Sequence, residues 1–163
     1  MKQIGILSDT HRFWDPRFVD YFKDCDEVWH AGDVGSGEIL DQLQALVPQV
    51  RAVYGNIDGQ DVRWRCPGLM TFECEGVKVL LKHITGYPGR WAPGMRALIS
   101  EEKPTVVVGG HSHILKVVYD KELEVLHINP GAAGRQGWQS CRTLFRIKID
   151  GVDIKDCEVI ELH

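Results

Sequence analysis

The first half of the chain repeats one pattern: a short apolar run, a polar cluster, then apolar positions at helical spacing. Gln3–Leu7 is apolar and stops at Ser8–His11, which predicts a buried strand ending in a loop. Asp15-Pro16 reads as a helix cap followed by a first-turn proline, with Phe18, Phe22 and Cys25 next at helical spacing. Glu27–His30 predicts a second strand, ending at Ala31-Gly32-Asp33. Ser36 then caps a helix whose apolar face is Ile39, Leu40, Leu43 and Leu46. Val50–Tyr54 predicts a third strand, followed by Gly55–Gly59. A β-α-β-α-β order implies parallel strands joined by right-handed crossovers.

The second half changes period. Thr71–Cys74 and Val77–Leu81 flank Glu75-Gly76 and predict a hairpin. A helix is expected over roughly Trp91–Glu101, with Met95, Leu98 and Ile99 on one face. Thr105–Val108 is an apolar strand ending at "GGHSH". Leu115–Tyr119 and Leu123–Ile128 predict another hairpin, and Arg142–Ile149 and Val152–Val159 a third around Asp150-Gly151. Parallel and antiparallel parts together predict an α/β fold of two stacked mixed β-sheets flanked by helices, with residues 1–163 as a single domain.

Composition narrows the function. The chain has 163 residues, 44% of them hydrophobic, enough for a real core. Its formal charge of -4 argues against a protein that binds long nucleic acid through a basic face. The five cysteines are scattered and form no CxxC pair, so neither a disulfide framework nor a thiolate zinc site is expected. The first apolar run is too short for a signal peptide, and no apolar span reaches the roughly 18 residues a membrane helix needs. A cytoplasmic protein without membrane contact is the expectation; small domains often form homo-oligomers, but no residue here proves one.

The ligand-type residues collect just after the predicted strands: Asp9 and His11, Asp33, Asn56, His83, and His111 with His113. Each alone reads as an ordinary loop residue, since Asn, Asp and Gly gather in turns and histidine is often a satisfied half-buried group. Together they are a coherent set, because loops at the carboxyl ends of strands in α/β sheets share one rim. His111 and His113, two apart, point the same way if that backbone is extended. Imidazole and carboxylate without thiolate favour Mn²⁺, Fe or Zn²⁺, and the number of donors suits two ions. Two such ions can clamp a phosphoryl group and generate a hydroxide nucleophile.

The blocks "SDTH", "AGD", "GNID", "KHITG" and "GGHSH", in this order, resemble the signature of the calcineurin-like metallophosphoesterases. Spacing and "INPGAAG" look most like the small bacterial and archaeal phosphodiesterase subgroup. The resemblance covers nearly the whole chain. It implies two β-sheets face to face with helices outside, an αββα sandwich. It implies two divalent ions, Mn²⁺ first with Fe, Zn²⁺ or Ni²⁺ as alternatives. Asp9, His11, Asp33 and His113 would hold the first ion, and Asp33, Asn56, His83 and His111 the second, with Asp33 bridging. A bridging hydroxide would attack phosphorus in line, with Asp33, Asn56 and His111 as the residues closest to catalysis. The block around His83 departs from the subgroup's pattern, where the histidine often precedes a glycine; here Ile84 and Thr85 intervene.

Many phosphatases of this superfamily carry a proton-donating histidine right after the asparagine. Ile57 stands there instead and cannot donate. The expected substrate is therefore a small phosphodiester with a reasonably acidic leaving group, with alkyl monoesters handled poorly. Asp58 receives no role. His30 is expected to end a strand, His127 and His163 to be ordinary, Asn129-Pro130-Gly131 to shape a turn, and Arg135 to be a solvated loop residue. Phe13, Trp14, Tyr87 and Trp91 serve equally well as core or as an apolar wall near the site. The competing reading is a non-catalytic scaffold, because the fold also resembles the metallophosphoesterase-like subunit of the eukaryotic retromer coat; such a scaffold has no need of all seven donors.

Overall fold

In the computed structural model, which describes residues 1–163, the chain forms two five-stranded sheets and one two-stranded ribbon. β1 (Lys2–Leu7), α1 (Arg17–Phe22), β2 (Glu27–His30), α2 (Gly37–Leu46) and β3 (Gln49–Ala52) alternate as the apolar pattern predicts. β1, β2 and β3 pair in parallel. Asp15 does act as a cap: its carboxylate accepts the Arg17 backbone N–H at 2.9 Å. Ser36 does the same for α2, accepting from the Glu38 N–H at 3.2 Å. After β3 comes α3 (Gln60–Arg63), a single turn with no periodic signal of its own.

The second sheet starts with β4 (Leu69–Cys74) and β5 (Val77–Lys82), the first expected hairpin. The short strands β6 (Gly86–Tyr87) and β7 (Arg90–Trp91) form the ribbon, followed by α4 (Met95–Glu102), β8 (Val106–Val108), β9 (Lys116–Asp120) and β10 (Val125–Asn129). The chain then returns to the first sheet through β11 (Arg142–Asp150) and β12 (Asp153–Leu162). The sheet orders are β12-β11-β1-β2-β3 and β4-β5-β8-β10-β9. Each has three parallel strands and an antiparallel remainder, so both sheets are mixed.

Burial sorts into three layers. Ile4, Ile6, Trp29, Phe145 and Ile147 of the first sheet meet Val79, Leu81, Val106, Val108 and Ile128 of the second in a dry inter-sheet core. Phe18, Phe22, Ile39, Leu40 and Leu43 pack α1 and α2 on the outer face of the first sheet. Met95 and Ile99 pack α4 against Leu80, Val107 and Val125 on the outer face of the second. The expected two-sheet sandwich with outer helices is the observed fold.

One expected element is wrong at its start. The helix expected from Trp91 begins at Met95, because Trp91 lies in the ribbon and Gly94 sits at φ 84°, a left-handed conformation that interrupts a helix. Trp91 is tied elsewhere: its indole N–H donates to the Asp120 carboxylate at 2.9 Å. The third strand is also shorter than expected, ending at Ala52 rather than Tyr54.

Candidate metal centre

All seven predicted donors come together at the carboxyl ends of β1, β2, β5 and β8 and the loop after β3. They form two groups, Asp9–His11–His113 and Asp33–His83–His111, each with ligand atoms within 4.8 Å of one another. Asp9 Oδ1 lies 3.2 Å from His113 Nε2 and 3.8 Å from both His11 Nε2 and His83 Nε2. Asp33 Oδ2 stands between the groups, 3.5 Å from His11 Nε2 and 3.2 Å from His83 Nε2. Asn56 completes the second group, with Oδ1 3.1 Å from His111 Nδ1.

Three atoms at this junction, Asp9 Oδ1, His11 Nε2 and His83 Nε2, are buried with no hydrogen-bond partner. Such atoms cost free energy unless something pairs with them, and three converging on one point call for a cation. The histidine tautomers agree. His83 Nδ1–H donates to the Ala31 carbonyl at 2.7 Å, and His113 Nδ1–H to Gln139 Oε1 at 3.1 Å. Both bonds leave Nε2 with its lone pair facing the junction, the usual outer-sphere arrangement of metal-binding histidines. Burial alone would raise the Asp33 carboxyl and lower the His83 imidazolium, but their mutual attraction outweighs it and shifts both toward the charged form, so that without a cation a proton is drawn to the Nε2 position a metal would take. Asp9 is likewise held below the usual carboxylate range, against the pull of burial, by the rings of His11 and His113 and the Ser8 hydroxyl.

The loops reach this arrangement through uncommon backbone. Asp9, His11, Asp33, His111 and His113 have φ of 55°, 48°, 53°, 71° and 65°, all left-handed. Side chains adopt that region rarely, and its clustering here marks a site where geometry outranks local preference. It also corrects the expectation for "GGHSH". The loop is bent rather than extended, while its histidines enter the two different groups that the family resemblance implied. Gly55 is needed for close approach, because a Cβ there would collide with the Asp33 carboxylate and backbone.

Two supporting residues go beyond the sequence expectation, which gives Asp58 no role and favours a plain strand end for His30 over a hydrogen bond near the site. Asp58, buried at 4% exposure, accepts the backbone N–H groups of Gly35 at 2.7 Å, Gly55 at 2.8 Å and Val34 at 3.2 Å. It thereby ties the Asp33 loop to the Asn56 loop. Two of its three partners, Val34 and Gly35, lie more than 20 positions away, so no local spacing signals the tie between the loops. His30 does more than end a strand. Its Nδ1 accepts the Gly32 N–H at 3.1 Å, so Nε2 carries the proton and donates to Thr10 Oγ1 at 3.0 Å. Burial lowers its pKa to about 4, which keeps this brace neutral.

The remaining residues fall around the centre. Asn129 shapes a turn as expected, accepting the Gly131 N–H at 2.9 Å and donating to the Gly110 carbonyl at 3.1 Å. The Arg135 guanidinium lies 3.9 Å from the Phe13 ring centroid, and Trp14 packs edge-on against Phe18. Two cavities open beside the second group. The larger, about 590 Å³, runs past Asn56, His83 and Leu69. The smaller, about 220 Å³, runs past His111, Tyr87, Lys116 and His127. Ile84 and Ala92 line both.

Comparison with known proteins identifies the family. A probable metallophosphoesterase from Methanothermobacter thermautotrophicus is 36% identical over 135 residues, spanning 79% of this chain and 76% of its own. A phosphodiesterase from Methanocaldococcus jannaschii is 26% identical, spanning 79% of this chain and 82% of its own. The solved structure of Vps29 from Entamoeba histolytica complexed with zinc shares the fold, with a TM-score of 0.74 over 98% of each chain at 17% identity. Residues 1–151 match the calcineurin-like phosphoesterase superfamily domain. With that match spanning every strand but β12 and every donor of the two groups, the chain belongs to the calcineurin-like phosphoesterase superfamily, hydrolases of phosphoester bonds that use divalent metals.

Proposed function

We propose that this protein is a dinuclear metal-dependent phosphodiesterase acting on small diesters with good leaving groups. The observation that carries the reading is the convergence of three buried, unpartnered atoms, Asp9 Oδ1, His11 Nε2 and His83 Nε2, between two groups of hard and borderline donors. Asp9, His11, Asp33 and His113 would hold one ion, and Asp33, Asn56, His83 and His111 the other. This oxygen–nitrogen set suits Mn²⁺ first, with Fe, Zn²⁺ or Ni²⁺ as alternatives. When bound, two such ions supply Lewis acidity toward a phosphoryl group and lower the pKa of water.

The chain's own residues do the rest. Asp33 presents one carboxylate oxygen toward both groups while its other oxygen accepts the Ile57 N–H at 3.1 Å, which fixes its orientation. Asn56 and His111 are exposed at the mouth of the site and are the donors best placed to meet a phosphoryl oxygen. Ile57 is 47% exposed beside them and offers no proton. A leaving oxygen therefore departs without help at this position, a deficit of about 10²–10⁴-fold for poor leaving groups and far less for nitrophenolate. The diester preference draws support from the similar phosphodiesterase of M. jannaschii.

The scaffold reading draws on the likeness to Vps29. A binding surface, however, does not need buried histidine nitrogens without partners. Metal-stripped protein assayed with bis(nitrophenyl) phosphate and glycerol phosphate separates the two. The expected result is Mn²⁺-stimulated turnover of the diester, with the monoester slower by about 10²-fold. Absence of metal-stimulated turnover would favour the scaffold. Comparable rates on both substrates would refute the leaving-group argument.

A further inference from the structure

The two cavities that meet at Ile84 and Ala92 differ in size and in the groups that line them. The larger, beside Asn56 and His83, has Leu69, Ile84, Ala92 and Pro93 in its wall, with Lys82 among them. The smaller, beside His111, has no carboxylate in its lining, and Lys116 is its one lysine. The Lys116 ammonium is held 3.7 Å from the Tyr87 ring centroid, a cation–π contact that orients it without neutralising it. His127 lines the same cavity at 1% exposure, and its Nδ1 is buried without a hydrogen-bond partner. Its ring packs edge-on to Trp91, and burial, with the nearby Lys116 charge, lowers its pKa to about 4. A neutral imidazole and an ammonium therefore face a space of about 220 Å³ that has room for a few heavy atoms and no anion of its own.

Resting on the phosphodiesterase reading, we propose that this smaller cavity is a subsite for one ester arm of the substrate, compact and negatively charged, recognised by Lys116 and His127. The larger cavity, about 590 Å³, takes the other, bulkier arm. Ile84 forms the ridge between them. The natural substrate is then an asymmetric diester with an additional anionic group, a carboxylate or a second phosphate, a few bonds from the phosphorus.

Three nitrophenyl diesters test this, differing only in the second arm: carboxymethyl, ethyl and choline. The intact protein should prefer the carboxymethyl ester over the ethyl ester by about tenfold in kcat/KM, the effect of one charge-assisted hydrogen bond, and should handle the choline ester worst. Lys116→Ala should abolish that preference while leaving the ethyl ester within about twofold. His127→Phe, which fills the space without ring nitrogens, should reduce the preference by a smaller factor. Calorimetric binding of phosphoglycolate against ethyl phosphate gives the same comparison without turnover, and Lys116→Ala should erase the difference. Equal kcat/KM for carboxymethyl and ethyl esters, or an equal loss on both in Lys116→Ala, overturns the subsite and leaves the phosphodiesterase standing. Failure of all three diesters with Mn²⁺ overturns the parent reading and the subsite with it. Because Lys116 lies partly exposed on β9, its variant keeps the test decisive even if His127→Phe fails to fold.

Discussion

The inter-sheet core and the rim of the strands are built from the same β-strands, yet they obey opposite rules. Between the sheets, side chains such as Ile4, Ile6, Val108 and Ile147 are fully buried on regular strands, and apolar burial stabilises every position. At the rim, five of seven donors sit in left-handed backbone and three buried polar atoms lack partners. The core stabilises the fold; the rim draws on that stability to hold groups in places they would not choose. Such a division is expected where preorganised charge, rather than packing, performs the function.

The comparison can be broken from either side. The largest expected effect lies in the brace between the loops. Asp58→Ala leaves three buried N–H groups unpartnered and should weaken metal binding by about 10–100-fold, measured by calorimetry, with about 3 kcal/mol lost in urea unfolding. In the core, Ile147→Ala should cost about 3 kcal/mol of stability while kcat per folded molecule stays within about twofold. A matching loss of kcat would mean that core and rim are not separable. At the rim, Ile57→His supplies the missing proton donor and should raise glycerol phosphate turnover by about tenfold, with little change on nitrophenyl diesters. The smallest change in stability is the most diagnostic of strain. His111→Gly relieves a φ of 71° and should stabilise the metal-stripped protein by about 0.5–1 kcal/mol while abolishing hydrolysis.

Much of this is legible in the sequence, and the parts that are not share a cause. Apolar runs and their polar stops announce β1, β2, β5 and β8, and each donor follows its run directly, so proximity at one rim comes from the topology alone. The caps Asp15 and Ser36 are equally local signals. Asp58 and His30 are not legible as braces because the partners that make them so, Val34 and Gly35 for Asp58 and Thr10 for His30, come from other loops, brought within reach only by the fold. The start of α4 was misplaced because periodicity from Trp91 onward looks helical, while the ribbon and the left-handed Gly94 decide otherwise. The bend in "GGHSH" was missed for a related reason: an extended loop is the default expectation, and the strain that bends it is a property of the assembled site.

The central claim is that Asp33 joins two ion sites in one centre. Counting Mn²⁺ ions per chain, by calorimetric titration of metal-stripped protein, tests it most directly. The account predicts two ions per chain in the intact protein, and in Asp33→Ala one at most, with diester turnover lowered by about 10³-fold or more. A chain that binds no ion, or an Asp33→Ala variant that still binds two with unchanged affinity, would contradict it.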